Sequence, residues 1–325
     1  MKKKNFLLVI GNGFDMELGL KTGFRSFVES PIYEKYEKEI QNEYAFKKNY
    51  NIDYDQNLNI FSYFKSVLKT QKWIDLEMEI GKLATRKTVE LDPETENRIK
   101  VFMKSTEPMK RSFDALRECL NEYIVNLSIP GKKPNYALSL LNILASEPRD
   151  NVRIVNFNYT NLKAITGIDV KVPVHHIHGC ITNGYGTKII LGVQDDIEVD
   201  KSYSYIIKSH SPYYHSSRII DLLEEADEVI FFGHSLGETD YPYFSEFFQS
   251  QCHRIEPDKR KKIRIFTFDE NSRLDILYQL RIMNNKQTRM FFENADFALY
   301  RTFFEQDDHE INKYFNELIK DLSVN

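Results

Sequence analysis

The sequence predicts an α/β protein with a doubly wound parallel sheet and a large helical insertion after the first strand. Three observations lead to this fold class. The apolar run Phe6–Ile10 is followed at once by a glycine turn and a helical pattern, which is typical of a buried strand entering a helix. Residues 26–147 have helical patterns and little strand character. From residue 150 onward, short apolar runs alternate with helical segments.

The predicted strands are short runs rich in branched and aromatic side chains. They are Phe6–Ile10, Val152–Phe157, Val172–Ile177, Lys188–Val193, Glu228–Phe232 and Lys262–Phe268. Helices are predicted at Tyr213–Glu225, Tyr241–Gln251, Arg273–Met283 and Asp307–Leu322. Strands that alternate with helices in this way indicate a parallel sheet covered on both faces.

The stretch after the first strand is predicted to be helical. Residues 73–84 are amphipathic, and Glu77 and Glu79 beside their apolar stripe are expected to be solvated. A helix is predicted from Asp92, a cap residue followed by proline, to about Leu127, with a kink or break at Pro108.

Ala137–Ala145 predicts one further short helix. The chain is therefore expected to divide into an α/β nucleotide-binding domain, residues 1–25 and 148–325, and a helical insertion, residues 26–147.

Composition and charge exclude several classes of protein. A net charge of −4 gives no broad basic field, so nucleic acid is not an expected partner. Three cysteines, widely spaced and odd in number, predict neither a disulfide framework nor a zinc ribbon. The apolar run behind the N-terminal lysines stops after five residues, and no run is long enough to span a membrane. The expected location is the cytoplasm, without a membrane partner.

The glycine turn after the first strand has the form of a nucleotide cradle. Gly11 and Gly13 would let the backbone approach a phosphate, and the first helical amides would donate to it. Met16 stands where a dinucleotide fingerprint has its third glycine, and no Lys-Ser or Lys-Thr directly follows a glycine, so this is not a P-loop. An ordinary strand-to-helix turn remains the alternative, with Asp15 as a helix-cap candidate.

Polar residues follow the other predicted strands. Ligands of open α/β sheets bind beyond the carboxyl ends of the strands, so these residues are the candidate site. They are Asn158 and its neighbours in NFNYTN, His178-Gly179 in HHIHG, and Gly233, His234 and Ser235 in GHSLG.

Each of these motifs has another interpretation. Asn158 could cap the following helix. His176 and His178 share a strand face, but no carboxylate is placed to complete a metal site, so no metal is predicted. GHSLG fits a G-x-S-x-G nucleophile elbow around Ser235, although no acid and histidine follow it in a persuasive order.

Taken in order, the motifs resemble known families. The pattern Gly11-x-Gly13-x5-Gly19-Leu20-x3-Phe24-Arg25, with Asn158, His178-Gly179 and GHSL, resembles the Rossmann-like NAD-binding domain of the sirtuins. GNGFDMELGLKT, NFNYTN, HIHG and FFGHSLGETD more closely resemble the AbiH family of bacteriophage abortive-infection proteins, over nearly the whole chain. Thr160 departs from the sirtuin pattern, which has Asp there, and the four zinc cysteines of the deacetylases are absent.

The resemblance implies an enzyme of phage defence that takes NAD as substrate or ligand, with no prosthetic group. His178 and Asn158 would then be catalytic. The residues implied to bind the nucleotide are Gly11, Asn12, Gly13, Phe14, Asp15, Phe24, Arg25, Thr160, Gly233 and Ser235. The resemblance also allows two kinds of partner, a phage-derived trigger and further copies of the same chain.

Three functions stay open at this point. The first is an NAD hydrolase that cleaves the nicotinamide–ribose bond. The second is a nucleotide-binding sensor without turnover, which Thr160 in place of Asp favours. The third is a hydrolase or nuclease that uses Ser235 or the histidines.

Overall fold

Six parallel strands form one sheet in the computed structural model, which describes residues 3–48, 59–70, 75–84, 106–128, 135–181, 189–214, 218–253, 256 and 260–323. The strands are β1 (Phe6–Ile10), β2 (Val152–Asn156), β3 (Val174–His176), β4 (Glu228–Phe232), β5 (Lys262–Thr267) and β6 (Asp296–Arg301). Their order is β3-β2-β1-β4-β5-β6. The predicted fold class is confirmed, with β1 at the centre between β2 and β4.

Thirteen α-helices belong to the described part of the chain. They are α1 (Asn12–Glu17), α2 (Phe24–Val28), α3 (Pro31–Lys48), α4 (Ile60–Thr70), α5 (Leu76–Ala84), α6 (Thr106–Val125), α7 (Tyr136–Ala145), α8 (Leu162–Thr166), α9 (Ile219–Glu225), α10 (Tyr241–Ser250), α11 (Glu270–Met283), α12 (Thr288–Asn294) and α13 (Asp308–Ser323). No helix among these is long and apolar enough to cross a membrane.

The chain folds as two compact units. The first unit comprises Met1–Leu20, Ile129–Ile177 and Ser216–Asn325, and it contains the sheet. The second unit comprises Lys21–Ser128 and His178–His215. The predicted domain boundaries at residues 25 and 148 stay a prediction.

Alternate residues of each strand in the first unit point to opposite faces of the sheet. Leu7 and Val9 belong to a core built with α9 to α12, whereas Phe6, Leu8 and Ile10 belong to a core built with α7 and α13. Because both faces are covered, β1 is buried along its whole length, which explains its uninterrupted apolar sequence.

The second unit has an aromatic core between its helices. Tyr33 of α3 is fully buried, and its hydroxyl donates to the Phe61 carbonyl at 2.9 Å. The ring of Phe27 packs edge-on against Tyr33, with centroids 5.1 Å apart. Helix α6 packs against α3, α4 and the 3-10 helix Lys201–Ile206. No strand occurs in the described part of residues 26–147, as predicted.

The predicted strand Lys188–Val193 is wrong over its described part. Residues 189–193 form no strand, and Val193 makes only an isolated bridge to Ile207. The backbone at Gly192 has φ +148° and lies so close to the Ile206 carbonyl that no side chain fits there. The apolar side chains of this run are buried in the helical unit, and an apolar run alone does not distinguish the two environments.

Strand β6 and helix α12 were not predicted. Strand β6 lies at the edge of the sheet, where its residues are half-buried or exposed, so its sequence DFALYR lacks a continuous apolar run. The other predicted strands and helices of the first unit are confirmed, with ends shifted by up to three residues. The exception is α9, which begins at Ile219 instead of Tyr213.

The expectation that Glu77 and Glu79 are solvated is wrong. The Glu77 side chain is only 13% exposed and accepts a hydrogen bond from Lys208. Glu79 is completely buried instead of solvated, because it accepts from Tyr63 at 2.8 Å and pairs with Lys82 at 2.7 Å. The described part of helix α6, Thr106–Val125, contains Pro108, and the predicted kink or break there stays a prediction. Residues 92–105 of that predicted helix, the predicted loop over 49–58 and Trp73 lie outside the described residues.

Candidate functional site

The strand order places a topological switch point between β1 and β4. From β1 the chain adds β2 and β3 on one side, and it then crosses to β4, β5 and β6 on the other. Ligands of doubly wound sheets bind in the crevice beyond the carboxyl ends of the two strands at such a point. The residues that follow Ile10 and Phe232 therefore form the candidate site of the first unit.

Two glycine turns meet at this crevice. Gly13 N donates to Gly233 O at 2.8 Å. A Cβ atom on Gly11 would lie 2.5 Å from His234 Cα, and one on Gly13 would lie 2.7 Å from Gly233 Cα. Gly233 itself has φ +62°, a left-handed conformation that favours glycine. The three glycines are thus required by the packing of one turn against the other, whether or not a phosphate binds.

The first turn offers Asn12 to a ligand more readily than its backbone amides. The amides of Gly13 and Phe14 both have acceptors inside the protein, and the Phe14 side chain is buried against Phe232. Asn12 is exposed. Helix α1 has only six residues, and its N-cap is Gly11, so the proposed cap role of Asp15 is wrong.

Asp15 is instead the centre of a buried hydrogen-bond network. Asn158 Nδ2 donates to Asp15 Oδ1 at 2.9 Å, and Thr160 Oγ1 donates to Oδ2 at 2.8 Å. Burial raises the pKa of the Asp15 carboxyl to about 7, against the lowering effect of these two hydrogen bonds. Asp15 therefore changes charge near neutral pH, directly beneath the first glycine turn.

Asn158 ties the end of β2 to the first turn. Its Nδ2 also donates to the Gly11 carbonyl at 3.0 Å, so both amide hydrogens have protein acceptors. Its backbone N donates to Asn156 Oδ1 at 3.0 Å. The cap of α8 is Asn161, whose side chain accepts from Ala164 N, so the alternative of Asn158 as a helix cap is wrong.

The second turn exposes Ser235 and buries His234. The Leu236 amide donates to His234 Nδ1 at 3.0 Å, and the His234 ring packs edge-on against Phe157. Burial lowers the pKa of His234 to about 3, so this imidazole stays neutral and structural at physiological pH. Burial likewise lowers the pKa of His176 to about 4, with a further contribution from His175.

The geometry around Ser235 does not favour a nucleophile elbow. In that motif the serine lies on a tight turn directly between a strand and a helix. Here Gly233 and Leu236 have positive φ, and the chain continues as a 3-10 helix at Glu238–Asp240 before α10 begins. The neighbouring His234 is held by the Leu236 amide.

His178 belongs to the second unit, where it is part of a buried charged cluster. His178 Nδ1 lies 3.6 Å from Glu77 Oε1, and Lys208 Nζ donates to Glu77 Oε2. Lys208 is only 2% exposed. Taking an ammonium out of water costs several kcal/mol unless a counter-charge is close, so Glu77 stabilises Lys208 and holds a negative charge beside the imidazole.

Phe24 and Arg25 also belong to the second unit. Phe24 is half-buried against the edge of Phe64, with centroids 5.5 Å apart. Arg25 is largely exposed and pairs with Glu29 at 2.9 Å. These contacts serve the local packing of α2, and the predicted contact of both residues with a nucleotide stays a prediction.

The structure thus brings part of the predicted site together. In the first unit it joins the residues of the two glycine turns and the buried network, namely Gly11, Gly13, Asp15, Asn158, Thr160 and Gly233. The prediction that His178 shares a cleft with Gly13 stays a prediction. Among the residues that the structure describes, no three His, Cys, Asp or Glu side chains are grouped to hold a metal ion.

Lys208 is the buried charged residue of this cluster that sequence reasoning missed. It stands in IIKSH between polar residues, and lysine is almost always solvated, so nothing local predicts its burial. Glu77 was noted for its place beside an apolar stripe. Only the folded chain shows that these two residues, 131 positions apart, form one ion pair.

Comparison with known proteins gives one family. Residues 7–256 match the family model described as "Bacteriophage abortive infection AbiH". That range contains both glycine turns, the Asp15 network and the Glu77–His178–Lys208 cluster. A search of curated proteins finds no match.

Proposed function

The chain belongs to the AbiH family of bacteriophage abortive-infection proteins and so has a role in defence against phage, and we propose that it fulfils this role by binding NAD and cleaving the nicotinamide–ribose bond. The observation that carries the proposal is the crevice between β1 and β4. The strand order 3-2-1-4-5-6 is that of the dinucleotide-binding sheets, which hold their ligand at this switch point.

The exposed groups of the crevice suit a nucleotide. Asn12 and Ser235 are exposed on the two glycine turns, and each can donate a hydrogen bond to a phosphate or ribose oxygen. The buried Asp15 carboxyl, with its pKa raised to about 7, carries less negative charge near neutral pH than an ordinary aspartate. This reduces the repulsion that an acid near a bound pyrophosphate would otherwise cause.

The proposed reaction needs little covalent chemistry. Water attacks the ribose carbon that bears nicotinamide, the C–N electron pair leaves with neutral nicotinamide, and the proton of the water passes to His178 as general base. The transition state resembles an oxocarbenium ion, so placement of the ribose supplies most of the rate. Glu77, 3.6 Å from His178 Nδ1, would stabilise the imidazolium that forms.

Asn158 is assigned a positioning role in this scheme. Both hydrogens of its amide are held by Gly11 and Asp15, so only its oxygen remains to contact the ribose or the attacking water. Its loss would displace the first glycine turn and so misplace the nucleotide.

A nucleotide-binding sensor without turnover is the second candidate. The observation in its favour is that Asn158 and Thr160 both direct their hydrogen-bond donors at Asp15. In the sirtuin-type pattern an acid stands in place of Thr160, and here the hydroxyl is turned toward the protein. A chain built in this way could bind NAD tightly and leave it intact.

Release of nicotinamide from NAD by the purified full-length protein separates the two candidates. We expect turnover by the wild type and a loss of about a hundredfold to ten-thousandfold for His178→Ala. His309→Ala is the matched control, because His309 is 85% exposed on α13, and it should keep the wild-type rate. Binding of NAD without nicotinamide release would favour the sensor.

Measurement of NAD in infected cells tests the case in which the enzyme needs a phage trigger. Cells that carry the wild-type chain should lose NAD after infection, and cells that carry His178→Ala should retain it. Equal NAD levels in both, with phage growth still blocked in both, would contradict the proposed reaction.

A further inference from the structure

The first unit has a cavity at the carboxyl edge of its sheet, beside the end of β6. This β6 cavity, whose walls include Tyr136, Thr302, Phe303, Glu305 and Asp308, has a volume of about 690 Å³. That volume is within the range usual for small-molecule sites. The crevice between β1 and β4 lies at the carboxyl edge as well, so the cavity and the candidate site share one edge of the sheet.

Phe303 supplies the β6 cavity with an aromatic surface. Its side chain is 73% exposed, and its ring is stacked on the ring of Phe268 with centroids 4.8 Å apart. The two residues are held level because Phe303 N donates to the Phe268 carbonyl at 2.9 Å, which continues the pairing of β5 with β6. One face of the Phe303 ring is therefore covered by Phe268, and the other face is open to a flat ligand.

The loop that carries Phe303 is fixed by Arg301. The Arg301 guanidinium pairs with Asp307 at 2.8 Å and with Glu270 at 2.7 Å. It also lies 3.8 Å from the centre of the Phe304 ring. A ring on a loop that is fixed in this way loses little conformational freedom when a ligand stacks on it, so Phe303 offers a preformed surface.

The polar groups of the β6 cavity suit a base better than a phosphate. Glu305 and Asp308 bring two carboxylates to it, and the described residues that line it include no lysine, arginine or histidine. Tyr136 donates to Asp308 Oδ1 at 2.6 Å, whereas Oδ2 accepts no hydrogen bond within the described part of the chain. An amino group on a base can donate to Oδ2, but a phosphate would be repelled by both carboxylates.

The strand order places the β6 cavity opposite the proposed nicotinamide end. Asn158, which the proposed reaction sets against the nicotinamide ribose or the attacking water, follows β2, and β2 and β6 lie on opposite sides of the switch point. A dinucleotide with its pyrophosphate at the switch point and its nicotinamide toward β2 has its adenosine toward β6. Neighbouring strands are about 4.8 Å apart, so β6 lies about 10 Å from β4, a distance that an adenosine can span.

Helix α1 connects the crevice with the β6 cavity. It begins at Asn12 on the first glycine turn and ends at Glu17. The Glu17 carboxylate accepts from Ala137 N at 3.1 Å and from the Thr302 side chain, and these two residues belong to the segments on either side of the cavity. A helix of six residues is about 9 Å long, so crevice and cavity are about as far apart as the phosphate and the base of one nucleotide.

We infer that the β6 cavity binds the adenine of NAD, with the base stacked on Phe303 and its amino group donating to Asp308. This inference rests on the proposed binding of NAD at the crevice between β1 and β4. It adds a selection for the base that the glycine turns do not supply, because phosphate and ribose oxygens are common to all nucleotides.

Calorimetry of the full-length chain with NAD, AMP and nicotinamide mononucleotide tests the stacking on Phe303. Phe303→Ala should weaken the binding of NAD and AMP about fivefold to a hundredfold, the range typical of the loss of one base–aromatic stack. Nicotinamide mononucleotide lacks adenine, so its affinity should not change. Phe292→Ala, at an exposed phenylalanine close to the start of β6, is the matched control and should bind all three ligands like the wild type. Phe303→Tyr keeps a ring and should bind NAD like the wild type, and all unfolding midpoints should be unchanged because these residues are exposed.

An analogue of NAD tests the contact with Asp308. In nicotinamide hypoxanthine dinucleotide a carbonyl replaces the amino group of adenine, so two acceptors would face each other at Asp308 Oδ2. The wild type should therefore bind NAD about tenfold more tightly than the analogue. Asp308→Asn keeps an oxygen for the Tyr136 hydroxyl and places an amide donor at the other position, so this preference should disappear.

The outcomes separate this inference from the proposed reaction. A Phe303→Ala protein that binds NAD like the wild type would overturn the adenine site and leave the proposed reaction intact. Equal weakening of nicotinamide mononucleotide would place the other end of NAD in the cavity and would overturn the inference too. A wild type that binds neither NAD nor AMP would overturn the inference together with the nucleotide site on which it rests. NAD affinity that depends on Phe303 without release of nicotinamide would support the adenine site and contradict the proposed reaction.

Discussion

Replacement of Asp15 by Asn tests the buried network beneath the glycine turn. The asparagine has the same shape, and Asn158 can still donate to its side-chain oxygen. The Thr160 hydroxyl can rotate and accept a hydrogen bond from the new amide. The variant therefore removes the ionisation of residue 15 and keeps its packing.

The sign of the effect follows from the raised pKa. Asp15 binds its proton more tightly in the folded state, with a pKa of about 7, than in the unfolded state, where the value is 3.8. Its contribution to stability is complete below about pH 4 and is lost as the pH rises to about 7. This difference in pKa corresponds to about 4 kcal/mol in total, of which about 2.5 kcal/mol falls between pH 5 and pH 8.

Urea unfolding of the wild type and Asp15→Asn over that pH range measures the effect. The other titrating groups are present in both proteins, so the difference between their unfolding free energies isolates Asp15. Asp15→Asn should gain about 2.5 kcal/mol relative to the wild type between pH 5 and pH 8. A difference that stays constant within about 0.5 kcal/mol would refute the raised pKa of Asp15 and the burial that causes it.

Three further predictions concern stability. Lys208→Met should cost about 3–5 kcal/mol because it removes the ammonium that balances the largely buried charge of Glu77. Lys35→Met, at a half-exposed pair with Glu122, should cost less than about 1 kcal/mol. Similar losses for the two variants would contradict the buried cluster. His234→Asn keeps an acceptor for the Leu236 amide and removes the titrating imidazole. Because the folded pKa of His234 is lowered to about 3, the unfolding free energy of the wild type should fall by about 2.5 kcal/mol relative to the variant between about pH 7 and about pH 4.5. Gly13→Ala should cost about 1–3 kcal/mol because the new Cβ meets the Gly233 backbone. In Gly23→Ala, the control, the new Cβ meets nothing within 4 Å, and the cost should be less than about 1 kcal/mol. Urea unfolding measures all of these, and a Gly13→Ala protein as stable as Gly23→Ala would refute the packing of the two turns.

The sequence predicts the centre of the fold better than its margins. Strands β1 and β4 are buried on both faces, so their runs are apolar apart from Glu228 at the start of β4, and their bounds were predicted without error. Edge strand β6 is half-buried and has no such run. The run 189–191 is as apolar as a strand but is buried among helices, because burial selects apolar residues regardless of secondary structure.

The candidate site was likewise predicted from the sequence only in part. The glycine turns were predicted because strand, glycine and helix follow one another in sequence, and Asn158 was predicted because it follows a strand directly. What Asn158 contacts was not predictable, because Gly11 and Asp15 are more than 140 residues away along the chain. The raised pKa of Asp15 and the burial of Lys208 are products of packing, and no local pattern carries them.

The most direct test of the central claim is the affinity for NAD of Asn12→Asp, Asn142→Asp and the wild type, measured by calorimetry at low salt. Both variants change an exposed asparagine to aspartate, one on the first glycine turn and the other on α7. An acid in the first turn of α1 is favourable to that helix, so the fold should not suffer. If NAD binds in the crevice between β1 and β4, the new charge meets the pyrophosphate, and Asn12→Asp should weaken binding about tenfold or more while Asn142→Asp binds like the wild type. Equal affinities for all three proteins, or no binding of NAD by the wild type, would contradict the account.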